Sequence, residues 1–205
     1  MGHVPQPAWT PPDAALCVKQ PTEGSPGRCR TLDDVMWRSA VWRQFGAAID
    51  MLDDALRDCP DELWTAELWP EPAAPGFSAF WYLAFHTVFW LDCNVSGRPD
   101  AFAPPEPFGV EELDPTGKLP PRVYTRAELR EYLAYSRRKT RETIASASDE
   151  QFERPCRTSS GTALPFGELL VYTMRHVQEH AAQLNMVLGQ RSGQVAGWVR
   201  VAKDA

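Results

Sequence analysis

Positive charge is in short supply in this 205-residue sequence: 21 lysines and arginines stand against 27 aspartates and glutamates, for a net charge of −6. That balance argues against a nucleic-acid backbone as the main partner. Long apolar runs are missing as well. The most apolar stretch, residues 79–91, is too short to span a bilayer and has His86 in its middle, so no membrane partner is expected. The five cysteines (Cys17, Cys29, Cys59, Cys93, Cys156) are odd in number and contain no CxxC pair, which speaks against a disulfide framework and for a reducing cytoplasm. The N-terminus lacks the basic-then-apolar profile of a secretory signal. No strand pair and no internal repeat can be read along the chain. Histidine is rarer still, with four in all, and two of them, His176 and His180, stand four residues apart.

Aromatic residues are plentiful by contrast, with eight tryptophans and nine phenylalanines, so an aromatic-rich interior or interface is expected. Residues 1–30 are rich in proline, without apolar periodicity, and read as an irregular N-terminal extension. A first helix is predicted from Thr31, with Asp34 completing a capping-box pattern. Leu32, Val35, Trp42, Phe45, Ile49, Leu52 and Leu56 follow at amphipathic spacing, and Pro60 ends the helix. Ser78 is the expected cap of a second helix, which runs to about Asn94 and stops before Gly97 and Pro99. A long Pro-rich stretch, residues 98–124, has the length of a functional loop and could serve as a lid. Thr125 and Glu128 open a third helix to about Ala147, and a turn through SDEQFERP leads to a fourth from about Pro165 to Leu188, ended by Gly189. The whole reads as an all-α four-helix bundle over residues 31–190, followed by a C-terminal tail over 191–205. The basic cluster Arg137, Arg138, Lys139 and Arg141 is expected to be a solvated face.

In the fourth helix, Phe166, Leu169, Leu170, Val177, Leu184, Val187 and Leu188 define one stripe, and His176 and His180 fall within it. Arg175, Gln178 and Asn185 fall opposite. Imidazoles at i and i+4 lie one turn apart on one face and can reach a single point. A hydrogen-bonded core histidine is the ordinary reading of one such residue. Burying two neutral rings without partners would cost several kcal/mol, roughly, so a metal ion is the competing explanation. The second helix is the best source of a third ligand, because Tyr82, Leu83, His86, Phe89, Trp90 and Cys93 share one face. His3 lies in the unpatterned extension, and Cys93, two turns from His86, reads as packing. The segment HVQEH also matches the HxxEH pattern of inverted zinc proteases, with Glu179 as base, but too little chain follows to supply their distal glutamate. Paired Glu-x-x-His motifs for a di-iron bundle are lacking.

The order of a helix bearing His86, a long connection, a helix, and a last helix with HxxxH followed by QLNMVLGQ resembles the DinB/YfiT-like superfamily of metal-binding four-helix bundles. The phrases LWTAELW and SDEQFERP are similar to that family too, and the likeness covers residues 31–190. It implies His86, His176 and His180 as ligands of a divalent ion, zinc or nickel foremost, with iron or copper also suited to three nitrogen ligands. It further implies a metal hydrolase, or a transferase or isomerase that depends on a low-molecular-weight thiol, acting on a small-molecule substrate. A non-catalytic metal-binding bundle of the stress response is the alternative. Tyr82 and Gln183 flank the expected site and could orient its ligands; Glu179 and Asp92 are the nearest carboxylates in sequence, each on the flank of its helix. No residue stands out as general base. The opposite face of the second helix carries Trp81, Ala84, Val88 and Leu91, which must be covered by the extension, by the 98–124 loop, or by a second subunit; a homodimer is the expectation.

Overall fold

The computed structural model describes residues 32–97, 101–158 and 161–204, with side chains from residue 36 onward. The expected N-terminal extension, His3 and the Thr31 capping box lie outside these residues. Four long helices form the bundle: α1 (Leu32–Asp58), α3 (Phe80–Ser96), α4 (Arg126–Ser146) and α6 (Phe166–Ser192). Two short helices, α2 (Asp61–Trp64) and α5 (Asp149–Glu153), sit in the connections. α1 and α3 each pack against both α4 and α6, so α1 and α3 stand diagonally across the bundle.

The amphipathic spacing of α1 delivers Phe45, Ile49, Leu52 and Leu56 to the interior, where all four are fully buried. α3 differs in kind. From Phe80 to Val95 nearly every side chain is buried, on all sides of the helix. Trp81, Ala84, Val88 and Leu91, the face that called for a partner, are at most 6% exposed within this one chain. That face therefore supplies no argument for a second subunit. Part of the cover is the connection after α3: Phe108 stacks on Phe85 and on Tyr132 of α4, Phe102 meets Phe89 edge-on, and Tyr124 contacts Trp81. Each buried ring contributes roughly 1.5–3 kcal/mol, enough to hold a loop that has almost no regular structure of its own.

Several boundaries differ from the sequence expectation, each for a local reason. Ser78 does not cap α3; its hydroxyl donates to the Trp69 carbonyl, while the Phe80 N–H is taken by the Ala66 carbonyl next to the Glu67–Ala79 bridge. Thr125 and Glu128 do form their capping box. The SDEQFERP turn contains α5, capped by a second box from Ser148 and Gln151. A short antiparallel pair, β1 (Pro155–Arg157) and β2 (Ala163–Pro165), precedes α6 where no strands were expected. Three residues with prolines at the pair's ends are too few for alternation to show in sequence. Gly189 does not end α6. The helix passes through it to Ser192 and ends at Gly193, whose φ of 71° is the left-handed cap; at Gly189 a Cβ would lie 2.7 Å from Val195, so smallness is what that position requires.

The C-terminal tail is bound along α1. Ala202 N–H donates to the Arg43 carbonyl and the Ala202 side chain packs on Gly46; Lys203 pairs with Asp54. The basic cluster of α4 is only half solvated. Arg137 bridges Asp50 and Asp204, Arg141 also reaches Asp204, and Lys139 pairs with buried Asp92, leaving Arg138 exposed without such a role. No helix among the described residues is long and apolar enough to cross a membrane.

Gly97 caps α3 with φ +62°, and a Cβ there would sit 2.3 Å from the Arg154 guanidinium and 3.0 Å from the Phe166 ring. Gly97→Ala should therefore cost about 1–3 kcal/mol of stability, read by urea unfolding. The tail ion pairs add a pH dependence. The Arg137 hydrogen bond holds the Asp204 carboxyl below its usual range, and Lys203 and Arg57 do so for Asp54 against the opposing effect of burial. Carboxylates depressed in the folded state stabilise it fully above their unfolded value near 3.8 and lose that contribution progressively as pH falls from there through the depressed folded value. The melting temperature should drop on acidification below about pH 4, and Asp204→Asn should flatten that drop.

Candidate metal centre

The antiparallel packing of α3 against α6 decides what can meet. Gly97, just past the end of α3, lies against Phe166 at the start of α6, and His86 in α3 lies against His176, 90 residues later in the chain. The buried stripe of α6 comprises Phe166, Leu169, Leu170, Val177, Leu184, Val187 and Leu188, with Thr173 and Ala181. His176 and His180 occupy the edge of that stripe facing α3 and are half-buried. Asn185, expected on the polar face, is buried instead.

His86, His176 and His180 come together at one point. Nε2 of His176 lies 3.2 Å from Nε2 of His86 and 3.1 Å from Nε2 of His180. These are the only His, Cys, Asp or Glu residues in a group of three or more that could hold a metal ion among the described residues. Two ligands each about 2.1 Å from an ion, at roughly 90–110° to one another, stand about 3.0–3.4 Å apart. The observed spacing falls in that range.

The outer ring nitrogens explain which atoms face inward. His86 Nδ1 lies 2.8 Å from Glu112 Oε2, and His180 Nδ1 lies 2.7 Å from Gln183 Oε1. Each contact requires a proton on Nδ1, which leaves Nε2 as a lone pair in the neutral ring. Both lone pairs then aim at His176 Nε2, which has at most one proton to share between them. His176 Nδ1 is buried without a partner. Burial, with His180 and His86 close by, pushes His176 down to about 3; burial also lowers His180, against the Gln183 bond. Neutral rings with lone pairs directed at one another lack an electrophile between them, and a divalent cation fits that requirement.

Glu112 was missed in the sequence. It sits in a 3₁₀ turn, Glu111–Leu113, in the connection after α3. Its Oε2 also accepts from Trp90 Nε1 at 2.8 Å, so two residues one turn apart on α3 share one carboxylate oxygen. Burial raises the Glu112 carboxyl, but the His86 hydrogen bond and charge, with Tyr82 and Trp90, outweigh it and hold the group below its usual range. Nothing periodic marks Glu112; the only available signal was chemical, since a ligating imidazole needs an acceptor on its other nitrogen. Of the other residues singled out, Tyr82 has its ring 6.4 Å from that of His86, and Glu179 is exposed beside His180. Asp92 faces away from the histidines into a buried network with Lys139 and Tyr132. Cys93 is fully buried, its thiol pushed up to about 12 by burial, and packs in the core. Glu112 and Trp90 also line an open cleft of about 880 Å³ that extends toward Asp114, Cys156 and Arg157.

The fold and site can be set beside known proteins. Residues 44–184 match the family model described as DinB superfamily. A crystal structure of a conserved protein from Enterococcus faecalis is similar in fold, with a TM-score of 0.50 and 16% identity over 78% of this chain and 98% of that one. No curated protein matches the sequence.

His176→Ala removes the nitrogen shared by both short contacts while deleting a ring whose Nδ1 is unpaired. Tight binding of zinc or nickel should be abolished, measured by metal analysis after dialysis, with the helical circular dichroism essentially unchanged. Undiminished metal content would return these rings to the role of packed core histidines.

Proposed function

This chain belongs to the DinB superfamily, whose model spans most of it, and from that premise we propose that it is a divalent-metal-dependent enzyme acting on a small molecule. The observation that supports this reading is the convergence of three Nε2 atoms at a half-buried point, two of them fixed as lone pairs. A divalent ion held there would act as a Lewis acid and lower the pKa of a ligating water or thiol. Three neutral nitrogen donors suit zinc, nickel, iron and copper alike, and it is membership of the superfamily that puts zinc and nickel foremost.

The carboxylates bear on which chemistry follows. Glu112 is engaged by His86 and Trp90, Asp92 by Lys139 and Tyr132, and Glu179 is exposed on another side of α6, in a surface pocket with Gln44, Met174 and Trp198. A hydrolase gains from a free carboxylate to take a proton from water, whereas a low-molecular-weight thiol brings its own nucleophile and needs less help. This favours the thiol-dependent transferase or isomerase over the hydrolase. A purely metal-storing bundle is less well supported, because the imidazoles are not sealed: the His86 side chain is 28% exposed.

The test is a metal analysis of protein purified without added metal, followed by parallel thiol-transfer and esterase assays on the zinc- and nickel-loaded forms. Thiol-dependent turnover that disappears in His176→Ala is the expected result. Ester hydrolysis without added thiol would favour the hydrolase, and metal binding without turnover in either assay would favour the storage bundle.

A further inference from the structure

Among the described residues of the long connection after α3, Glu112 alone reaches the histidine cluster by a hydrogen bond, and its environment is unusual. Its side chain is only 5% exposed, Oε2 is shared by His86 Nδ1 and Trp90 Nε1, and Oε1 is buried with no hydrogen-bond partner of good geometry, the Tyr82 hydroxyl being its polar neighbour. A buried carboxylate with one oxygen unpaired is a poor stabiliser of a loop; an apolar residue of similar size would serve that purpose better. The loop already has apolar anchors in Phe102 and Phe108. What an apolar residue could not do is accept the His86 proton, fix that ring with Nε2 toward His176, and raise the basicity of Nε2. The same carboxylate forms part of the wall of the adjoining cleft, together with Trp90.

Resting on the metal-dependent reading above, we propose that Glu112 is a positioning residue for His86 and that, through this single contact, metal occupancy sets the order of the 101–124 segment and hence the shape of the cleft. A cation on Nε2 polarises the imidazole and strengthens the Nδ1–H bond to Glu112. That bond ties the 3₁₀ turn to α3. Loss of the cation weakens it and leaves the turn held by Trp90 Nε1 and by the apolar anchors on either side. The wall of the cleft is therefore firmest when the centre is loaded.

The experiment uses the full chain, stripped with a chelator, and zinc as the probe. Zinc affinity is read by competition with a chromophoric chelator, and amide hydrogen exchange is followed across residues 101–124 with and without zinc. Glu112→Ala should weaken zinc binding about 10- to 100-fold with unchanged helical circular dichroism, and Glu112→Gln, whose amide oxygen still accepts from His86 and Trp90, should recover most but not all of the loss. Zinc should slow exchange in the 101–124 segment of the wild type and leave it unchanged in Glu112→Ala. If the alanine variant does not fold, the glutamine variant decides, with affinity several-fold below wild type supporting the role and equal affinity overturning it. Alanine-variant affinity within twofold of wild type, or wild-type exchange indifferent to zinc, would overturn the proposal while leaving the metal centre standing. A wild-type protein that takes up no zinc and no nickel would overturn both.

Discussion

α3 has apolar side chains on every side, and that obliges the rest of the chain to surround it. Two neighbouring helices, α4 and α6, cannot close the circle around it. The remaining side is taken by the connection that follows α3, which lays Phe102, Phe108 and Tyr124 onto its rings. This is an economical arrangement, because the segment that covers the helix is the one that must leave it. It also has a chemical result. A loop forced to lie along α3 passes His86, and the carboxylate it brings there, Glu112, determines which imidazole nitrogen is free. The aromatic surplus of the sequence and the tautomer of one histidine are thus parts of one constraint.

The three imidazoles are tuned by different means. His86 takes a charged acceptor from a loop, His180 a neutral amide from its own helix one turn on, and His176 no partner for Nδ1 at all. A carboxylate on the outer nitrogen makes the inner one a stronger donor than an amide does, and an unpartnered ring is the weakest. The three imidazoles are therefore graded, with the one on α3 the most electron-rich. An ion bound there would experience unequal ligands, and the side nearest His86 would be the one most sensitive to movement of the loop.

Much of this was legible beforehand, and the remainder was hidden for identifiable reasons. Helical periodicity gave the four long helices, and the i, i+4 histidines with a third on an apolar helix identified the cluster that the structure assembles. Boundaries failed where backbone contacts from elsewhere replaced a local signal: Ser78 turned to Trp69, and Gly189 proved to be a position needing smallness rather than a stop. The β1–β2 pair was too short to display a period. The basic cluster of α4 misled because charge runs are read as solvated unless the partner carboxylate is visible, and Asp50, Asp92 and Asp204 lie 47 to 87 residues away in sequence. Glu112 was unreadable for the same reason, since its significance depends entirely on a ring 26 residues earlier. The expectation of a dimer rested on the family resemblance and on the second apolar face of α3; that face, for which the 98–124 connection was one of the expected covers, is buried within the chain and so does not bear on assembly.

The diagonal placement of α1 and α3 has one more consequence, for the order in which the molecule can be made. The two helices that meet at the histidines are separated by the whole of α4, and α6 is the last of the described helices. A polypeptide growing from its N-terminus presents His86 long before His176 and His180 exist. During that interval the apolar α3 has neither its helical neighbour from α6 nor a chelating partner. Every fragment that stops short of α6 is thus both incompletely packed and without the assembled histidine cluster, and the same helix remedies both defects at once.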